Sequence, residues 1–151
     1  MSLEILTPMN KVERVARQII PSTFVAAPGI WAQIQADGSL LNVAEGINAL
    51  INKLVIGSAS SNVYESHDVE VGRITTMESF GVRCKVDSAG FTGTINQGET
   101  LVVSSAAATL GKLISTETAA NGTYEIVARC EEISTLYLTF RTLSPVMITI
   151  S

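Results

Sequence analysis

From Val69 onward, apolar and polar residues alternate with a period of two, run after run. A strand that shows one face to a core and the other to solvent needs that pattern. In Phe80–Val86, Phe80, Val82, Cys84 and Val86 share one side while Arg83 and Lys85 share the other. Leu101–Val103 is a short apolar strand after an Asn96-Gln97-Gly98 turn. In Tyr124–Cys130, Tyr124, Ile126, Ala128 and Cys130 alternate with Glu125, Val127 and Arg129. Leu136, Leu138 and Phe140 then alternate with Tyr137, Thr139 and Arg141, and Val146, Ile148 and Ile150 continue the series after Pro145. Ser88-Ala89-Gly90 and Asn121-Gly122 supply turns between runs. Strands at this regular spacing predict a mainly β fold, an antiparallel sandwich or small barrel. No strand–helix–strand alternation follows residue 69, which argues against a parallel sheet.

The first part of the chain reads differently. Val12, Val15, Ala16 and Ile19 recur at helical spacing, and Asn10 with Glu13 resembles a capping box, so Lys11–Ile19 is expected as a short helix ended by Pro21. A helix that short is marginal unless its apolar face finds a partner. It lies either on its own domain or as an arm on a neighbouring subunit. The expected division is therefore an N-terminal arm, residues 1–29, followed by a β-rich body, residues 30–151. On the arm, Lys11, Val12, Arg14, Val15, Arg17, Ile19 and Phe24 are the candidate partner contacts. Ile30–Gln35 and Ser39–Val43 flank Asp37-Gly38, a hairpin signal, with Trp31 as a core anchor on the first strand. Asn42–Val55 has helical spacing weakened by Gly46, though Leu54–Ile56 could equally begin a strand. Gly57–Asn62 is a loop.

Hydrophobic residues make up 46% of the 151 and charged ones 16%, too apolar for disorder and charge-poor for a solitary monomer, so an oligomer is expected. The net charge of −4 argues against nucleic-acid binding, which needs clustered Lys and Arg. No stretch resembles a secretory signal or a membrane-spanning helix, and a cytoplasmic site of synthesis is the corresponding expectation.

Nothing in the chain assembles catalytic equipment by its spacing. Ser66-His67-Asp68 sets three suggestive types side by side, but a working triad converges from separated positions, so His67 is expected to be solvated or capping. One histidine builds no His-rich metal site, and no Asp-x-Asp-x-Asp-Gly loop or phosphate-cradling Gly-x-x-x-x-Gly-Lys-Ser/Thr motif occurs. Glu131-Glu132 reads as a solvated strand end. Cys84 and Cys130 fall on the apolar faces of their strands, where a thiol acts as a small hydrophobe. No catalytic residue, cofactor or metal is expected.

The compact strands and small-residue turns of Val69–Ile150 resemble the capsid decoration, or cement, proteins of tailed bacteriophages. The resemblance is carried by Glu99-Thr100-Leu101-Val102-Val103 with the Ser104–Thr109 tract, by Gly111-Lys112-Leu113-Ile114, by Gly122–Cys130 and by Leu136–Leu143. It implies an accessory subunit on the outer surface of a phage head, assembled in the bacterial cytoplasm and holding neighbouring copies of the major capsid protein together. Such proteins are commonly trimers and sometimes dimers. A β-rich tail, fibre or receptor-binding module is the alternative expectation.

Overall fold

The largest apolar side chains of this chain line up across strands rather than along them, and the pairing registers of the computed structural model show how. It describes residues 1–18, 27–41, 52–70 and 72–151. Twelve strands follow in chain order: β1 Ser2–Ile5, β2 Arg14–Gln18, β3 Trp31–Ile34, β4 Leu40–Leu41, β5 Asn52–Leu54, β6 Val63–Glu65, β7 Arg73–Met77, β8 Arg83–Asp87, β9 Thr100–Val103, β10 Leu113–Ser115, β11 Gly122–Ile133 and β12 Tyr137–Ile150. Seven of them form one antiparallel sheet in the order β10-β9-β11-β12-β8-β1-β6. A ribbon of β2 and β7 and a small sheet β4-β3-β5 make the second layer. The two pieces of that layer are joined where Val55 bridges Thr76 and the Ile56 N–H donates to the Thr75 carbonyl.

The main core lies between the layers. Cys130 faces Phe140 across β11 and β12, Phe140 faces Cys84 across β12 and β8, and Cys84 faces Ile5 across β8 and β1. A second row runs Leu138–Val86–Leu3–Tyr64. All eight side chains are buried, and Trp31, Leu54, Ile56 and Met77 cover them from the second layer. On the other side of that layer, Ala32, Leu40, Val55 and Ile74 form a smaller buried cluster. The fold is thus mainly β, with antiparallel sheets in a sandwich-like arrangement.

The hairpin at Asp37-Gly38 forms as the sequence indicates, with Trp31 buried on its first strand. The Gln35 N–H donates to the Ser39 carbonyl and the Gly38 N–H to the Gln35 carbonyl. Gly38 takes a φ of +84°, which leaves a three-residue loop with glycine in the left-handed position. Asp37 Oδ1 accepts from the Ser39 N–H at 2.9 Å and fixes the turn. Gly111 has a different constraint. A Cβ there would collide with the Ile30 side chain and meet the Trp31 carbonyl oxygen at 2.7 Å, so the chain entering β10 can approach β3 only as glycine.

Several expectations are corrected. The helix over Lys11–Ile19 is absent from its described part. Met9–Lys11 is a single 3-10 turn and Arg14–Gln18 is β2, paired with β7 from Arg14↔Met77 to Gln18↔Arg73. Pairing with a strand some sixty residues later satisfies backbone groups that an isolated nine-residue helix would satisfy only marginally. The N-terminal segment is not a separate arm either, since β1 is an interior strand with β6 and β8 on its two sides. Residues 42–51 of the second expected helix lie outside the described residues, and its end, Asn52–Leu54, is strand β5. Phe80, expected inward, is 53% exposed because β8 begins only at Arg83.

Alternation along β11 also breaks. A register shift between Ile126 and Ala128 turns Glu125 and Val127 inward and leaves Tyr124 and Ile126 partly exposed, as one inserted residue reverses every face beyond it. Leu136 and Val146 are exposed, while Leu138 and Phe140 are buried as expected.

Candidate interaction surface

β2 is unlike every other strand here, because four of its five residues are exposed and the fifth is half-buried. Among the described residues it pairs with β7 alone, so its outer backbone edge has no strand partner there. An edge with free N–H and C=O groups is the standard template for pairing with another chain. Of the candidate contacts read from the sequence, Arg14, Val15 and Arg17 lie on this strand. Lys11 is exposed just before it, Val12 packs partly against the main core, and Val15 is 40% exposed. Ile19 and Phe24 lie outside the described residues. Because successive strand residues alternate, Arg14 and Arg17 point to opposite faces rather than joining in one basic stripe.

Their partners differ accordingly. Arg14 Nη1 donates to the Tyr64 hydroxyl at 3.2 Å, tying β2 to the edge of the large sheet. Arg17 donates through Nη2 to Glu78 Oε1 at 2.6 Å and through Nε to Thr76 Oγ1 at 3.1 Å. On the other carboxylate oxygen, Lys53 Nζ lies 2.6 Å from Glu78 Oε2. All three side chains are largely buried, so this knot of two cations around one carboxylate welds β2, β5 and the end of β7 together. Burial alone would raise the Glu78 pKa, but hydrogen bonds from Lys53, Arg17 and Thr76 outweigh it and hold the carboxyl below the usual glutamate value. Glu125 shifts the other way. Its burial raises the pKa, against the Asn52 N–H that donates to Oε1 at 3.0 Å.

These opposite shifts give the two acids opposite roles. The stabilisation from Glu78 is complete above the unfolded glutamate value of about 4.3 and is lost as pH falls through its lower folded value. Ionising Glu125 instead costs stability as pH rises through its raised folded value. Glu78→Gln is expected to lower stability at pH 7 by about 2 kcal/mol, the worth of charged hydrogen bonds. Glu125→Gln, whose amide oxygen can still accept from Asn52, is expected to cost less than about 1 kcal/mol or to stabilise. Urea midpoints of the two variants over a pH series check this, and equal losses at pH 7 would refute it.

The other residues that the sequence singled out have structural surroundings of their own. His67 sits in a 3-10 turn, Ser66–Asp68, with its ring 80% exposed and Nε2 3.4 Å from Asp68 Oδ1. Asp68 Oδ2 accepts from the Glu65 N–H at 2.7 Å, and Ser66 Oγ bonds with Met1. The three adjacent residues thus serve a cap and a chain-end contact. Cys84 and Cys130 are buried free thiols. They face Phe140 from either side, two strand spacings or about 10 Å apart, beyond disulfide reach. Burial pushes the Cys84 thiol far up, which leaves little nucleophilic thiolate, and burial followed by the nearby Glu99 raises the Cys130 thiol above its ordinary value. Glu131 is not a free solvated end, because its Oε1 stands 3.4 Å from Arg83 Nε and 3.2 Å from Arg141 Nε, whereas Glu132 is exposed as expected, with Oε1 3.6 Å from Arg83 Nη2.

A small cavity of about 10 Å³ lies between the layers, lined by Trp31, Asn52, Met77, Val127 and Thr142 among others. Trp31 Nε1 and Asn52 Oδ1 are both buried there without a hydrogen-bond partner among the described residues, and the volume is that of one water. Among the described residues, no group of three or more His, Cys, Asp or Glu side chains is placed to hold a metal, and no helix is long and apolar enough to cross a membrane. Comparison with protein-family models, curated proteins and solved structures finds no match to the chain.

Proposed function

We propose that this chain is a structural accessory protein that binds the outer surface of a tailed-bacteriophage capsid and stabilises contacts between copies of the major capsid protein. The observation that carries the assembly part of the reading is β2, a strand with four of its five residues exposed and whose outer edge has no strand partner among the described residues. Anchored by Arg14 to Tyr64 and by Arg17 to Glu78, it is held in place to receive a further strand. A second copy of the chain is the proposed occupant of that edge, and three copies joined head to tail would close a ring where the rotation between them closes. Exposed Val146 and Met147 at the far end of β12 add apolar surface of the kind that neighbours cover. Preferential binding to the assembled shell is enough to stabilise it without chemistry.

The capsid as partner rests on the resemblance of Val69–Ile150 to decoration proteins. Electron cryomicroscopy of the phage particle that incorporates the chain tests it. Density for the β-rich unit on the exterior of the head, astride capsid-subunit joints, is the expected result. Its absence from the head overturns the proposal, and its presence at the tail tip would favour the tail or receptor-binding reading.

A further inference from the structure

The register that sets the core row of the large sheet also sets its outer face. One position along from Cys130, Phe140 and Cys84, Arg129 stands opposite Arg141, and Arg141 opposite Arg83. Residues paired in register share a face, and their neighbours take the other. Three guanidinium groups therefore stand side by side on β11, β12 and β8, turned away from the core. At a strand spacing of about 4.8 Å the row spans about 10 Å. Directly opposed like charges destabilise a sheet, and folding gives no return for aligning three of them in a chain that holds ten Lys and Arg and a net charge of −4.

The row is only partly neutralised from within. Glu131 stands between Arg83 and Arg141, and Glu132 Oε1 lies 3.6 Å from Arg83 Nη2. Arg129 is exposed and, among the described residues, makes no ion pair or side-chain hydrogen bond. Beside the row is an open groove of about 320 Å³, lined by Glu4, Arg83, Lys85, Glu132, Tyr137 and Thr139. Lys85 Nζ lies 4.3 Å over the Tyr137 ring on that wall.

We propose that Arg129, Arg141 and Arg83 form a docking row for a short acidic segment of a neighbouring protein subunit, whose carboxylates pair with the guanidinium forks. Planar forks match carboxylates bidentately. The face holds four basic groups against the acidic Glu4, Glu131 and Glu132, a mixture that suits two or three carboxylates set on the arginines and repels a long polyanion, so nucleic acid is the disfavoured occupant. This inference deepens the reading of the chain as an interaction protein by naming a contact surface distinct from β2.

The test needs only the purified chain, with a synthetic hexaglutamate peptide as the probe in an NMR titration. The expected result is a saturable shift of the Arg Nε–H signals of residues 83, 129 and 141. Arg129→Gln is expected to weaken binding about fivefold, the loss of one exposed charged contact, while Arg73→Gln on β7 leaves it unchanged. Amide signals away from β11 must stay in place in Arg129→Gln, which separates lost contact from lost fold; where they move, Arg129→Lys, which keeps the charge without the fork, must weaken binding in its place. Absence of saturable shifts overturns the proposal, as does tighter binding of inorganic phosphate or a short DNA duplex at the same signals. A chain that binds hexaglutamate through the row but is missing from the phage head would overturn the capsid reading and leave this surface standing.

Discussion

A chain lacking Met1–Leu6 is expected to show no cooperative unfolding transition at all. β1 lies between β8 and β6, so its removal strips the pairing from Leu3–Ile5 opposite Val86–Cys84 and from Ser2–Glu4 opposite Glu65–Val63. Leu3 and Ile5 are buried to within 1% of full burial, Ile5 ending one core row and Leu3 standing inside the other, between Val86 and Tyr64. Cutting either one back to Ala costs about 2–5 kcal/mol, and the pair alone approaches the 5–15 kcal/mol that typically holds a domain. Deletion also unpairs β6 and uncovers Tyr64, which is fully buried and accepts the Arg14 hydrogen bond. Guanidinium titrations followed by Trp31 fluorescence and near-ultraviolet circular dichroism check the result. A deletion variant that still unfolds cooperatively would show that the segment is an appendage. Val15→Ser on the exposed β2 is the internal contrast, expected within about 0.5 kcal/mol of the parent.

Leu3 and Ile5 show why the sequence hid this strand. Two alternating apolar residues are too few to distinguish a strand from chance, and β1 exists because of partners about sixty and eighty residues away. β2 failed for a related reason. Val12, Val15 and Ala16 fit a helical face as well as a strand, and only pairing with Arg73–Met77 decides between them. Local signals fared better. Asp37-Gly38 closes its hairpin within three residues, and Cys84, Val86, Leu138 and Phe140 alternate inward as the sequence suggests. Along β11 the same rule holds for Ala128 and Cys130 and fails for Tyr124 and Ile126, because a bulge leaves no mark in composition. The candidate contacts were legible as a region and not as a surface, since their helix spacing joined Arg14 to Arg17 and the strand sends them to opposite faces. The arginine row was not legible at all. Arg83, Arg129 and Arg141 are scattered in sequence and become neighbours only through the registers of β11 and β8 on β12.

Phe140 and Phe80 sharpen that contrast into the second large effect. Both sat on expected apolar faces, yet Phe140 is fully buried and Phe80 is 53% exposed. Phe140 occupies the centre of the core row, with Cys130 and Cys84 on either side in the sheet and the Trp31 ring 6.4 Å away at 50° from the second layer. Phe140→Ala would remove the side chain through which the two layers meet. Close-packed neighbours refill such a space only partly, so a loss of about 3–5 kcal/mol is expected, with the tilted aromatic pair accounting for about 1 kcal/mol of it. Phe80 has Lys53 Nζ 5.7 Å over its ring, and Phe80→Ala is expected to cost less than about 1 kcal/mol. Guanidinium midpoints of the two variants, with the slopes unchanged, measure the difference. Trp31 emission should shift to the red in the folded Phe140→Ala protein and stay in place in Phe80→Ala. Equal midpoints would mean that the layers do not meet at Phe140, and the sandwich core would have to be placed elsewhere.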